Sequence, residues 1–262
     1  MEVSFPFLVE SALLTHGLAS VTEETLLARW PAELQNIVWV SRGSVCTGGM
    51  AEFLAFRRSE APALRIDCCT LEDSLREGRS GALTASGTMA VCLRCGIPLA
   101  VTCGMGGIGD IRGEELCPDL PALRDLPVAL ISTSPKDVVD IPATLRWLRE
   151  NGVTVLGAGT DRCTGYLLRS TDVPLSGVLQ DTLPQESHVL ILQGIPEEQR
   201  IRELSMLPAA IAEGKEAEQS GAYFHPAANR AFDRMSGGLS SSIQLDSLIR
   251  NALLAKRLTE TE

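Results

Sequence analysis

Six short apolar runs punctuate the chain: "PFLVES" (6–11), "NIVWVS" (36–41), "IPLAVTC" (97–103), "PVALIST" (127–133), "VTVLGA" (153–158) and "HVLILQ" (188–193). Their length and their Val, Ile and Leu content predict buried strands. Between them, apolar positions recur at helical spacing in "TEETLLARW" (22–30) and "DVVDIPATLRWLREN" (137–151), and "TMAVCLRCG" (88–96) also reads as helix. The last third predicts helices over 196–221, 226–237 and 240–258. Strands alternating with helices predict an α/β fold with a central, mostly parallel sheet flanked by helices. The helical C-terminal portion completes one domain over residues 1–262, with no repeat and no low-complexity linker.

Composition narrows the class. A chain of 262 residues is long enough to bury a core without staples. A formal charge of -10 argues against nucleic acid as a partner, because phosphate contacts need clustered cations. A small anion remains open, since it needs only a local positive site. "MEVSFPFLVE" carries acid where a secretory leader needs base, and no apolar run reaches membrane-spanning length, so a cytoplasmic protein off the membrane is expected. Eight cysteines then read as reduced thiols. Cys92 and Cys95 form C-x-x-C without a second pair at zinc spacing, so buried thiols are the expectation.

Gly104, Gly106 and Gly109 in "VTCGMGGIGDIRG" have the G-x-G-x-x-G spacing of a dinucleotide turn. Such a turn must open directly into a helix. Here "DIRGEELCPDLP" follows, with a further glycine and two prolines. Three readings stay open: a cofactor turn, a plain tight turn, and a loop that lets substrate approach the backbone closely.

Lysine is scarce: three against 20 arginines. Lys215 and Lys256 lie in polar helical stretches. Lys136 follows a strand and precedes a helix, the position where open α/β sheets build sites. An unperturbed lysine is a free amine about once in 2,500 at pH 7; burial or a cationic neighbour removes most of that handicap, and arginine cannot do the same chemistry. The alternative for Lys136 is an ion pair with Asp137 or Asp140.

"ASGTMAVCLRCGIPLAVTCGMGGIG" (85–109) and "CPDLPALRDLPVALISTSPKDVVDIPATLRWLRENGVTVLGAGTD" (117–161) resemble the pseudouridine-5′-phosphate glycosidase family, also called indigoidine-synthase-A-like. "VESALLTHGL" (9–18), "GIPEE" (194–198) and "SGGLSSSIQLDSLIRNALLA" (236–255) extend the resemblance over most of the chain. It implies reversible splitting of the C–C glycosidic bond of pseudouridine 5′-phosphate into uracil and ribose 5-phosphate. By match to the family, Lys136 forms a Schiff base with the opened ribose and Glu10 moves protons. Asp119 stands near a divalent cation, usually manganese. Arg65, Thr84, Gly106, Gly107, Ser242 and His16 are implied to line the substrate. A homotrimer is also implied, and the glycines become a substrate-side loop.

Plain structural roles stand beside these. Glu10 would otherwise be a solvated carboxylate, Asp119 a helix cap, His16 a core or turn histidine, and Thr84 a helix start. The chain departs from the family pattern in several places. Arg65 replaces a lysine near the phosphate, Gly109 a histidine, Cys117 a serine, Ser242 a base-reading asparagine, and "AYFHP" (222–226) a K-E-x-T-P segment. The reacting residues are kept while the recognition shell differs. A related lyase or synthase that joins a phosphosugar to another carbon nucleophile is therefore the second expectation, and a non-catalytic binding protein the third.

Overall fold

The structure, a computed structural model, describes residues 5–60, 63–109, 116–186, 188–222 and 224–260. In chain order the elements are β1 (Leu8–Val9), α1 (Ala12–His16), α2 (Glu23–Arg29), β2 (Ile37–Ser41), β3 (Ser44–Gly48), α3 (Met50–Ser59), β4 (Leu64–Ile66), α4 (Leu71–Arg76), β5 (Gly81–Leu83), α5 (Ala85–Cys95), β6 (Leu99–Val101), β7 (Gly104–Met105) and α6 (Asp119–Asp125). They continue with β8 (Ala129–Ser132), β9 (Ser134–Pro135), α7 (Ile141–Glu150), β10 (Thr154–Gly157), β11 (Arg162–Cys163), β12 (Val173–Pro174), β13 (Gly177–Val178), β14 (Val189–Leu192), α8 (Met206–Gln219), α9 (Phe224–Met235) and α10 (Leu239–Thr259).

One large sheet runs in the order β13-β10-β14-β8-β6-β1-β2-β5-β4, with β3 beside β2. Its pairs are parallel except where β2 meets β3 and β5. Each of the six apolar runs contains one of its strands. Successive side chains of a strand face opposite ways, and the core divides accordingly. Val9, Val101, Ile131 and Ile191 join one buried cluster, with α10 and the aromatic group of Trp39, Phe53 and Phe56. Leu8, Ala100, Leu130 and Leu190 join the other, with α5 and α7. Helices cover both faces, as a parallel sheet requires.

Helix boundaries correct the sequence reading in two places. The helix expected from Asp137 begins at Ile141, because Asp140 caps it by accepting from the Ala143 N–H and Pro142 suits the first turn. The helix expected from Pro196 begins at Met206. The segment before it is pinned elsewhere: Ile201 N donates to Leu167 O, and the Arg200 guanidinium holds the carbonyls of Thr164, Leu168 and Ile195. Among the described residues no helix is long and apolar enough to cross a membrane. All eight cysteines are free thiols, with Cys92, Cys103 and Cys163 buried and Cys69 exposed.

Candidate active site

The carboxyl ends of β1, β6 and β8 lie side by side and deliver the reactive groups. Glu10 follows β1, its N–H bonded to Val101 O at 2.9 Å. Thr102 and Cys103 follow β6. Past β8 the chain crosses β9 to Lys136, whose N–H bonds Met105 O at 3.1 Å. One cavity of about 510 Å³, counting its part open to solvent, is lined by Glu10, Lys136, Arg65, His16, Gly106, Cys117 and Asp119. Ala12, Leu13, Gly17, Ala85, Gly104, His225, Pro226 and Asn229 also line it. Most of the expected site residues therefore converge; Thr84, Gly107 and Ser242 are absent from the wall.

Glu10 is buried, and its Oε1 accepts from Thr102 Oγ1 at 2.6 Å and from Cys103 N at 3.1 Å. Burial raises its pKa above the ordinary glutamate value despite those donors and the Lys136 charge. Lys136 moves the other way. Burial and then the Arg65 guanidinium lower it, against the pull of Glu10 and Asp119. The pair is thus shifted toward a protonated acid and a free amine, the forms needed for proton donation and for nucleophilic attack.

The ion pairs offered as the plain role of Lys136 are answered by what those carboxylates do instead. Asp137 accepts from the N–H groups of Tyr166, Leu167 and Leu168 and from Ser170 Oγ, and so fixes the loop after β11. Asp140 caps α7. From the opposite side, α10 ties the strand ends together: Asn251 Nδ2 donates to Thr102 O at 2.8 Å and to Thr133 Oγ1 at 3.1 Å.

Asp119 is a structural joint. It opens α6, where Pro118 holds the cap position. Its Oδ1 accepts from Ser86 N at 3.0 Å, in the first turn of α5, and its Oδ2 from Gly106 N at 2.8 Å. It therefore caps a different helix from the one expected. Among the described residues no group of three or more His, Cys, Asp or Glu side chains is placed to hold a metal. One carboxylate with both oxygens on backbone N–H groups does not make a protein-built cation cage. Asp119→Ala is expected to lower unfolding free energy by about 2–4 kcal/mol, since it orphans two buried donors, one at a helix start. Urea denaturation of the variant beside the wild type measures it.

The glycine loop is explained by close packing. A side chain at Gly104 would sit 2.6 Å from the Tyr166 ring, one at Gly106 would overlap Cys117, and one at Gly107 would overlap Thr144. None of the three has positive φ. Gly107 thus serves packing behind the wall; residues 110–115, the rest of that stretch, lie outside the described residues.

Thr84 caps α5: its Oγ1 accepts from Gly87 N at 3.2 Å. Ser242 is held by Arg29, its Oγ accepting at 3.0 Å, beside the Arg29–Asp246 ion pair. His16 faces the cavity, with its pKa lowered by burial and then by Arg65. The sequence reading did not single out His225, Asn229, Asp137 or Asn251 as functional residues. Only His225 had a signal, as a departure inside "AYFHP".

Residues 9–261 match the family model described as indigoidine synthase A like protein. Among curated proteins, the pseudouridine-5′-phosphate glycosidase of Methylobacterium nodulans is 27% identical, over 95% of this chain and 81% of its own. That of Thermus thermophilus is 28% identical, over 95% of each. Among solved structures, an indigoidine synthase A-like protein from Thermotoga maritima aligns with a TM-score of 0.80 at 21% identity, over 97% of this chain and 92% of its own. The prealnumycin C-glycosynthase AlnA, solved in complex with ribulose 5-phosphate, aligns at 0.75 and 23% identity with the same coverage.

Proposed function

Because the chain belongs to the indigoidine synthase A like family, we propose that it is a C-glycosidase that reversibly cleaves pseudouridine 5′-phosphate to uracil and ribose 5-phosphate. The carrying observation is the placement of Glu10, after β1, and Lys136, past β8 and β9, in one cavity, with pKa shifts toward acid and amine. The names of the curated relatives support pseudouridine 5′-phosphate as the substrate.

The chemistry follows from those two groups. The free amine of Lys136 attacks C1′ of the ribose. The C1′–O4′ bond breaks, and O4′ takes the proton of Glu10. The Glu10 carboxylate takes a proton from the ammonium formed at Lys136 Nζ and delivers it to uracil C5, and the freed nitrogen lone pair then expels the base. The C1′–C5 electrons restore the C5–C6 double bond of uracil, and Lys136 is left as an imine on C1′. Water hydrolyses that imine to open-chain ribose 5-phosphate and frees the amine. Arg65, on the cavity wall, is a cation available for the phosphate; a planar guanidinium binds phosphate bidentately.

Incubation with pseudouridine 5′-phosphate, followed by chromatography, tests this reading: uracil and ribose 5-phosphate are expected in equal amounts. One observation favours a second reading, synthesis of another C-glycoside from a phosphosugar. Ser242, at the position matched to the family's base-reading asparagine, is bonded to Arg29 and lies off the cavity wall. Consumption of ribose 5-phosphate with a different carbon nucleophile, and none with uracil, would select that reading. The family resemblance supports a homotrimer. Light scattering is expected to give three times the 28.1 kDa chain mass, and a monomer at micromolar concentration would refute that assembly.

A further inference from the structure

His225 lies in the first turn of α9, on the cavity wall. Both its ring nitrogens are closed off from solvent, and neither has a hydrogen-bond partner among the described residues. A buried polar atom without a partner costs about 1–3 kcal/mol, so an imidazole with two such atoms needs a reason to be there. Packing does not supply one. Its ring lies edge-to-face with Phe224, centroids 5.5 Å apart, a contact that an apolar side chain would serve as well.

The surroundings limit what the ring can meet. Burial first, then the charges of Lys136 and Arg65, hold its pKa well below the ordinary histidine value. It therefore offers one N–H donor and one bare nitrogen at neutral pH. Glu10 and Asp119 also line the cavity; Glu10 Oε1 accepts from Thr102 and Cys103, and both Asp119 oxygens accept, from Ser86 and Gly106. The cations and this uncommitted imidazole thus converge on the same space. An anion that also carries hydroxyls would satisfy them together: its charge meets Arg65, and its hydroxyl or phosphate oxygens take the N–H and face the bare nitrogen.

We propose that His225 is a substrate-binding residue, which holds the phosphosugar against Lys136 from the α9 side. This rests on the function proposed above and adds a contact from α9 on the cavity wall. His225 stands where the family pattern K-E-x-T-P carries threonine, so the contact is a specificity feature of this chain.

The test is calorimetric titration of ribose 5-phosphate into wild type, His225→Phe and His225→Gln, with KM and kcat for pseudouridine 5′-phosphate alongside. Phenylalanine keeps the ring and removes both polar atoms; glutamine keeps a donor and an acceptor. His225→Phe is expected to weaken ribose 5-phosphate binding roughly 10- to 100-fold, with KM rising more than kcat falls. His225→Gln is expected to recover most of that loss. Equal affinity in wild type and a folded His225→Phe protein overturns this inference and leaves the proposed function standing. Absence of ribose 5-phosphate binding to the wild type overturns both. If His225→Phe does not fold, glutamine carries the decision against His225→Ala: equal loss in both shows that hydrogen bonding is not what the site uses.

Discussion

Replacement of Lys136 by arginine is expected to lower turnover at least a thousandfold while the chain stays folded. Arginine keeps the positive charge, so any role in holding phosphate survives in part. It cannot form an imine, because the guanidinium remains protonated at any workable pH. Loss of covalent catalysis costs several kcal/mol of barrier, at about 1.4 kcal/mol per tenfold in rate. The structure adds a reason that the lysine is poised: burial and Arg65 lower its pKa, and the carboxylates nearest in sequence are engaged elsewhere, Asp137 on the loop at 166–170 and Asp140 on the start of α7. Product release by the variant, with circular dichroism to confirm folding, is the measurement. Near-normal turnover would assign Lys136 an electrostatic role only.

Glu10→Gln is expected to separate activity from stability. Loss of the proton donor should lower kcat/KM on the order of 100- to 10,000-fold. Stability should change in the opposite direction at neutral pH. Burial raises the folded-state pKa of Glu10 above its unfolded value. Its favourable contribution to folding is therefore fully present below the ordinary glutamate pKa and is lost as pH rises through the raised one. Glutamine carries no charge to bury, and its amide oxygen can still accept from Thr102 and Cys103. The variant should thus be more stable than the wild type near pH 7, and the difference should shrink toward pH 4. Denaturant midpoints at the two pH values measure this. A variant less stable at both would show that the Glu10 charge supports the fold.

Six strands of the large sheet were legible because each lies in a compact apolar run; β3, β4, β5 and β13, short or partly exposed, were not. Lys136 was legible because lysine is rare in this chain and this one sits at a strand end. Other features were not local enough to read. "DVVD" resembles a helix start, yet Asp137 reaches the backbone of residues 166–168, a contact that no sequence spacing announces. His225 enters the cavity from α9, about 90 residues beyond Lys136. Ser242 was expected at the substrate by pattern matching along a helix, where a shift of two residues turns a side chain by about 200°. On α10 that shift leads to Gln244, which is buried and accepts from Tyr166 OH, while Ser242 faces Arg29. Asp119 was placed correctly at the start of a helix, but its partners lie on α5 and in the glycine loop.

The scarcity of lysine makes one measurement especially direct. Borohydride reduction of the wild-type protein with ribose 5-phosphate, followed by peptide mass spectrometry, reports on all three lysines at once. The account predicts a stable sugar-phosphate adduct on Lys136, with Lys215 and Lys256 unmodified. An unmodified Lys136, or labelling spread over the other two, would contradict it.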